Sequence, residues 1–138
     1  MNEIISPADG KITNVIYRNN RTSIVITLNL WNKHYQISPA DGIVKDIKYK
    51  KGKFLNAVFN PRASFENERN EITINDVKVI QIAGILARRI KCYVKKNQKI
   101  KKGQLLGKIA FGSQVILEIP KRIKIKKGRI KIGDIIGD

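Results

Sequence analysis

Apolar and polar residues alternate along most of this chain, and Gly, Pro, Asn and Asp interrupt the alternation at short intervals. Residues 11–17, 22–30 and 43–49 read as strands. In the second of these, Ile24, Ile26 and Leu28 alternate with Ser23, Val25 and Thr27. Arg18-Asn19-Asn20-Arg21 predicts a hairpin tip, and Asn75-Asp76 joins 71–74 to 77–82 in another hairpin. Further strands are expected over 91–94, 105–110 and 114–119, with a break at Gly112-Ser113 and a basic–apolar alternation from Pro120 onward. Residues 83–90 alone suit a helical turn, and 61–70 is a polar stretch. The expected fold is all-β: one compact domain of short strands, residues 1–138, in closed or double-sheet packing.

Ser6-Pro7-Ala8-Asp9-Gly10 recurs 32 residues later as Ser38-Pro39-Ala40-Asp41-Gly42, each copy leading into an Ile/Val-rich strand. Proline presets φ and Asp-Gly tolerates positive φ, so both copies read as turns. One duplication is too brief for a solenoid. Composition supports the strand reading, since 25 residues are the β-branched isoleucine. A chain of 138 residues can bury a core without covalent staples. The single Cys92 excludes an intramolecular disulfide framework, and with the single His34 it leaves no metal site expected. No run of 18 apolar residues and no signal-peptide pattern occur, so a cytoplasmic chain without a spanning helix is expected.

Charge sharpens the picture. The net charge is +17, and residues 91–131 hold 14 basic side chains against one acidic, net +13. Such a field attracts nucleic acid, anionic headgroups or acidic partners. Aromatics are missing from 95–108 and after Phe111, which disfavours nucleic acid, because single-strand binders stack bases on aromatic rings.

Few residues could carry chemistry. Cys92 lies in an alternating strand and is expected in or near the core. His34 is the one ordinary side chain titrating near neutrality, hence the first acid–base candidate, although a lone histidine is more often structural. Asp9 and Asp41 read as turn residues. Glu66 and Glu68, two apart, would face opposite ways in a strand. Gly112-Ser113 suits a tight turn, and Ser113 is a weak nucleophile unless a base activates it.

Taken in order, these segments form a pattern: Ser6 to Gly10, His34 to Gly42, Glu66-Asn67-Glu68-Arg69, Gln81 to Ile90, Gly103-Gln104 and Phe111-Gly112-Ser113. The pattern resembles the short-form phosphatidylserine decarboxylases of bacteria and archaea, including archaetidylserine decarboxylase, from about residue 4 to residue 120. The resemblance implies a carboxy-lyase that makes a pyruvoyl cofactor from its own backbone. Ser113 Oγ would attack the Gly112 carbonyl. The ester would then lose its acyl group by β-elimination, and hydrolysis of the dehydroalanine at 113 would leave a pyruvoyl group and ammonia. The products would be a β chain, 1–112, and an α chain, 113–138. By the same resemblance, Asp9 orients His34 and His34 takes the serine proton. The pyruvoyl carbonyl then serves as electron sink while the serine headgroup loses CO2.

Two positions depart from the family pattern. His34 stands five residues before the second proline, where long-form members carry histidine two before, here Ile37; and Gln114 follows the serine where relatives have Arg or Thr. The implied fold has barrel-sandwich hybrid, lipoyl-like features, without the Met-Lys-Met context of a biotinyl carrier. The implied partners are a serine phospholipid substrate and an anionic membrane surface, with a homo-oligomer compatible. Only five residues precede the first motif, where relatives carry an anchor, so peripheral docking at the cytoplasmic face is expected to rest on charge. The competing readings are a noncatalytic basic β-domain that binds anionic lipid headgroups and one that binds nucleic acid.

Overall fold

The computed structural model describes residues 3–29, 33–57, 59–85, 88–110 and 112–137. Among them the elements are β1 (Ile4–Ile5), β2 (Gly10–Arg18), β3 (Arg21–Thr27), β4 (Tyr35–Ile37), β5 (Gly42–Lys50), α1 (Ala63–Glu66), β6 (Arg69–Ile74), β7 (Val77–Ile82), β8 (Lys91–Cys92), β9 (Lys99–Ile100), β10 (Leu105–Lys108), β11 (Gln114–Ile119), β12 (Gly128–Ile130) and β13 (Ile135–Gly137). The all-β expectation holds. One large sheet runs β12-β2-β3-β11-β7-β6-β5-β9, a smaller one runs β4-β10-β8, and β1 pairs with β13. No barrel closes among the described strands.

The central strands β3, β7 and β11 carry apolar residues on both faces because both faces are covered. Val115, Leu117 and Ile119 join Ile24, Ile26, Ile72, Ile74 and Val79 in the main core, while Ile116 packs on the opposite face with Val25, Ile80 and Ile82. Each such buried side chain is worth about 1.5–3 kcal/mol. Side chains alternate between faces along a strand, so Ser113 shares the main-core parity of Val115 and Gln114 the outer parity of Ile116.

The duplicated turns are built alike and bind each other. Ile5 N–H donates to the Pro39 carbonyl (3.1 Å) and Ile37 N–H to the Pro7 carbonyl (3.0 Å). In each copy the serine hydroxyl closes the turn, Ser6 Oγ on the Ala8 carbonyl (2.8 Å) and Ser38 Oγ on the Ala40 carbonyl (2.6 Å). A basic loop grips each turn. Gly133 N–H donates to the Ser6 carbonyl (3.0 Å) and Ser6 N–H to the Asp134 carbonyl (2.7 Å); Gly103 N–H donates to the Ser38 carbonyl (2.9 Å) and Ser38 N–H to the Gln104 carbonyl (2.8 Å). The correspondence continues into β2 and β5. Each bulges where a side chain caps the next amide, Asn14 Oδ1 taking Val15 N–H and Asp46 Oδ1 taking Ile47 N–H, both at 3.0 Å.

The helical expectation is corrected. In the described part of 83–90 no helix forms, because Ala83 N–H donates to the Glu68 carbonyl (2.9 Å) and the Ala83 carbonyl accepts Asn67 Nδ2 (2.7 Å). Both backbone groups are used across the chain rather than along it. Residues 86–87 lie outside the described residues. The helical turn is α1 instead, inside the stretch read as polar. Asn60 Oδ1 accepts Arg62 N–H (3.0 Å) ahead of it, and Arg69 donates to the carbonyls of Ser64 (2.7 Å) and Asn67 (3.1 Å) behind it. Burial pulls the Arg69 guanidinium below its ordinary value while Glu71 acts the other way, and a guanidinium stays charged under such a shift.

Candidate active site

The β3–β11 ladder continues one step beyond both strands. Gly112 N–H donates to the Leu28 carbonyl (2.8 Å), and Leu28 N–H donates to the Ser113 carbonyl (3.0 Å). The Gly112–Ser113 bond is therefore held in register at the end of a sheet rather than left at a free hairpin tip. Gly112 has φ +81°, and a Cβ there would meet no atom, so the backbone conformation and not the available space calls for glycine. Ser113 is fully buried, and its Oγ donates to the Ala110 carbonyl (2.5 Å). Attack of that oxygen on the Gly112 carbonyl carbon closes a five-membered ring, so no distant group has to move in. Phe111, where the motif opens, lies outside the described residues, as does Trp31 near His34.

Gly84 lies against this peptide bond. A Cβ at Gly84 would overlap the Gly112 carbonyl oxygen and stand 3.4 Å from Ser113 N. The sequence reading assigned Gly84 no role; the available signal was an isolated glycine two residues past a strand end, a place where close backbone approach occurs. Asn67 holds the Gly84 segment in place. It is 2% exposed, donates from Nδ2 to the carbonyls of Leu55 (2.9 Å) and Ala83 (2.7 Å), and accepts Leu55 N–H at Oδ1 (2.9 Å). Glu68 next to it accepts the Tyr49 hydroxyl. Burial, that hydrogen bond and the carboxylate's charge push Tyr49 up to about 12, so it stays a neutral donor near pH 7.

His34 meets the segment before this bond through its backbone. Its carbonyl accepts Ile109 N–H (2.9 Å), next to the Ala110 whose carbonyl takes the Ser113 hydroxyl. Its Nε2 is shut off from solvent. Asp9 Oδ2 accepts Lys33 N–H (3.1 Å), one residue before His34, while Oδ1 accepts Ile132 N–H (2.6 Å). Asp9 is thus linked to His34 through Lys33, and His34 to Ser113 through Ile109–Ala110. A buried amide chain steadies the same segment: Asn70 Nδ2 donates to Gln81 Oε1 (3.2 Å), Gln81 Nε2 to Gln36 Oε1 (2.9 Å), and Gln36 Nε2 to the His34 carbonyl (3.0 Å). Sequence reasoning gave these amides no role, although polar residues inside apolar strands were the signal.

A family model described as phosphatidylserine decarboxylase matches residues 1–138. This chain belongs to the phosphatidylserine decarboxylase family. A relative from Burkholderia mallei (strain SAVP1) is 39% identical over 144 residues, covering 96% of this chain and 65% of the relative. A relative from Burkholderia vietnamiensis (strain G4 / LMG 22486) is 40% identical over 140 residues, covering 92% of this chain and 65% of the relative. Both are named phosphatidylserine decarboxylase proenzyme. The chain therefore spans about 65% of the length of these relatives. No solved structure matches it.

Other candidates from the sequence of this family member fall away from the site. Cys92 is exposed on the two-residue β8, not in the core as expected. Asp41 sits in the second turn, where its Oδ1 accepts Lys102 N–H (2.7 Å). Among the described residues no three His, Cys, Asp or Glu side chains gather as a metal-binding group, and no helix is long and apolar enough to cross a membrane.

Proposed function

We propose that this chain is a pyruvoyl-dependent decarboxylase that converts phosphatidylserine, or its ether-linked counterpart archaetidylserine, to the ethanolamine phospholipid after cleaving itself at Gly112–Ser113. The observation that carries the reading is the buried Ser113 hydroxyl behind a left-handed Gly112, at the place where the family pattern puts its cleavage pair. These residues fit the formation of a pyruvoyl group. Gly112 presents an uncrowded carbonyl, Ser113 supplies the hydroxyl, and Gly84, by lacking a Cβ, leaves the space that the scissile carbonyl oxygen occupies. Once formed, the pyruvoyl group supplies an electron sink for loss of CO2. The protein's own part is to hold and move protons. His34 takes the Ser113 proton, and Asp9 fixes the segment that carries His34.

Maturation divides the chain into 1–112 and 113–138. Docking is peripheral, at the cytoplasmic face of an anionic membrane. Its support is the net +13 of residues 91–131 and a groove of about 550 Å³ beside Asp9 that Lys11, Arg129 and Lys131 line. Each basic residue near such a surface contributes roughly 1 kcal/mol. Intact-mass spectrometry tests the proposal. Two fragments are expected, the smaller with a blocked N-terminus, against one uncleaved chain for Ser113→Ala. A wild-type chain that stays whole leaves a noncatalytic headgroup-binding domain as the reading.

A further inference from the structure

The outer face of the large sheet carries a cavity of about 430 Å³ that begins one residue from Ser113. Its lining includes Gln114, which is only 6% exposed. Both hydrogens of that amide are committed, since Nε2 lies 3.3 Å from Thr27 Oγ1 and 3.3 Å from the Ala57 carbonyl. The Ala57 carbonyl can only accept, so turning the amide over would set two acceptors face to face, and the orientation is fixed. Oε1 is buried and has no hydrogen-bond partner among the described residues. An acceptor kept this way is costly, and an apolar side chain of similar length would avoid the cost.

We infer that this cavity is the subsite for the headgroup of an aminophospholipid. Gln114 Oε1 accepts from the substrate's primary ammonium, Lys127 pairs with the phosphodiester, and Phe59 and Phe65 at the cavity's edge meet the acyl region. The inference rests on the decarboxylase reading and adds where the substrate sits. An atom that can only accept selects a donor, and a serine headgroup with an ionised carboxyl offers its ammonium. Phe59 is 84% exposed and Phe65 is 67% exposed, both on the cavity wall, which suits a site that works at a lipid surface.

Co-sedimentation of the full chain with phosphatidylcholine vesicles that carry equal fractions of phosphatidylserine or phosphatidylglycerol separates ammonium recognition from charge attraction. Incubation is kept short against turnover. The wild type is expected to bind the phosphatidylserine vesicles more tightly on the order of tenfold, the effect of one hydrogen bond from a charged donor. Gln114→Leu should bind both vesicles equally, and Phe59→Ser should weaken both by a similar factor. Equal binding of the two vesicles by the wild type overturns the inference, as does a preference that survives in Gln114→Leu or unchanged binding by Phe59→Ser. If Gln114→Leu melts below the assay temperature, the wild-type comparison and the exposed Phe59→Ser decide alone. A chain that never cleaves yet prefers phosphatidylserine refutes the decarboxylase reading and leaves the subsite standing. One that cleaves and decarboxylates without the preference does the reverse.

Discussion

Asp9 and Asp41 hold the same place in two copies of one turn, and each accepts an N–H from a basic loop, Ile132 at 2.6 Å and Lys102 at 2.7 Å. Asp9 alone of the two also takes the N–H of Lys33, beside His34, among the described residues. The grooves around the two turns match as well. One is lined by Asp9, Gly10, Arg129 and Lys131, the other by Asp41, Gly42, Lys99 and Lys101. The duplication therefore supplies two equivalent anchor points, and the candidate site is added to one of them by the third segment that reaches it. Asn29 belongs to the first groove and leads toward that segment; Asn75, a hairpin residue, fills the second.

Four sets of substitutions probe that difference, beginning with the one expected to matter most. Gly84 has its close contact at the first end, where a Cβ would overlap the scissile carbonyl. Gly84→Ala should slow self-cleavage by a factor on the order of 10² or more, the scale of a roughly 1 Å misplacement of reacting groups. Intact mass against time reads it, and cleavage at the wild-type rate would show Gly84 to be a passive neighbour.

Asp9→Ala removes the acceptor of two backbone amides and Asp41→Ala the acceptor of one. Both should lower the melting temperature, since a hydrogen bond to a charged group is worth about 1.5–3 kcal/mol. Only Asp9→Ala should also slow cleavage, by on the order of 10², as loss of a correctly held base does. Equal cleavage rates in the two variants would erase the functional asymmetry between the turns.

Gly10 and Gly42 separate the copies by stability alone. A Cβ at Gly10 would lie 2.5 Å from the Thr27 carbonyl oxygen, which is backbone in a central ladder; at Gly42 it would lie 2.8 Å from the Asn75 side chain, whose displacement costs only its hydrogen bond from Ile43 N–H. Gly10→Ala should cost about 1–3 kcal/mol, as overpacking does, and Gly42→Ala less than about 1 kcal/mol, by denaturant midpoints. The reverse order would place the rigid neighbour at the wrong copy.

The smallest effect is expected at Gly103 and Gly133, both with φ +90° and no atom near a built Cβ. Asn97 already occupies the same left-handed region at φ +74° in the related loop where Gln98 Oε1 accepts Lys95 N–H. Gly103→Asn and Gly133→Asn should each change stability by less than about 1 kcal/mol, and by equal amounts, because asparagine tolerates that conformation. Unequal melting shifts would show that the two basic loops are not equivalent.

Much of the architecture could be read from the chain. The apolar positions of β3, β7 and β11, the Asn19-Asn20 tip with both φ positive, the Asn75-Asp76 tip with φ positive at Asn75, and the two turns all follow from local rules of periodicity and turn chemistry. The helical turn was misplaced because it is decided by side-chain bonds to particular backbone groups, which hydrophobic periodicity does not report. Ala83 is pulled out of a helix by Asn67 and Glu68, while α1 is held by Arg69 gripping Ser64 and Asn67 from behind.

By itself the sequence determined the strand periods, the repeated turn and the family pattern that singles out Asp9, His34, Gly112 and Ser113. These depend on residue type and short spacing, which a one-dimensional reading preserves. Only the tertiary structure decided that the two turns bind each other, that Gly84 abuts the Gly112 carbonyl, and that Gln114 keeps a buried acceptor beside a cavity. Those contacts join residues about 30 positions or more apart. Whether a glycine is needed for φ or for close approach, and whether an amide is satisfied, depends on which distant backbone comes to lie beside it.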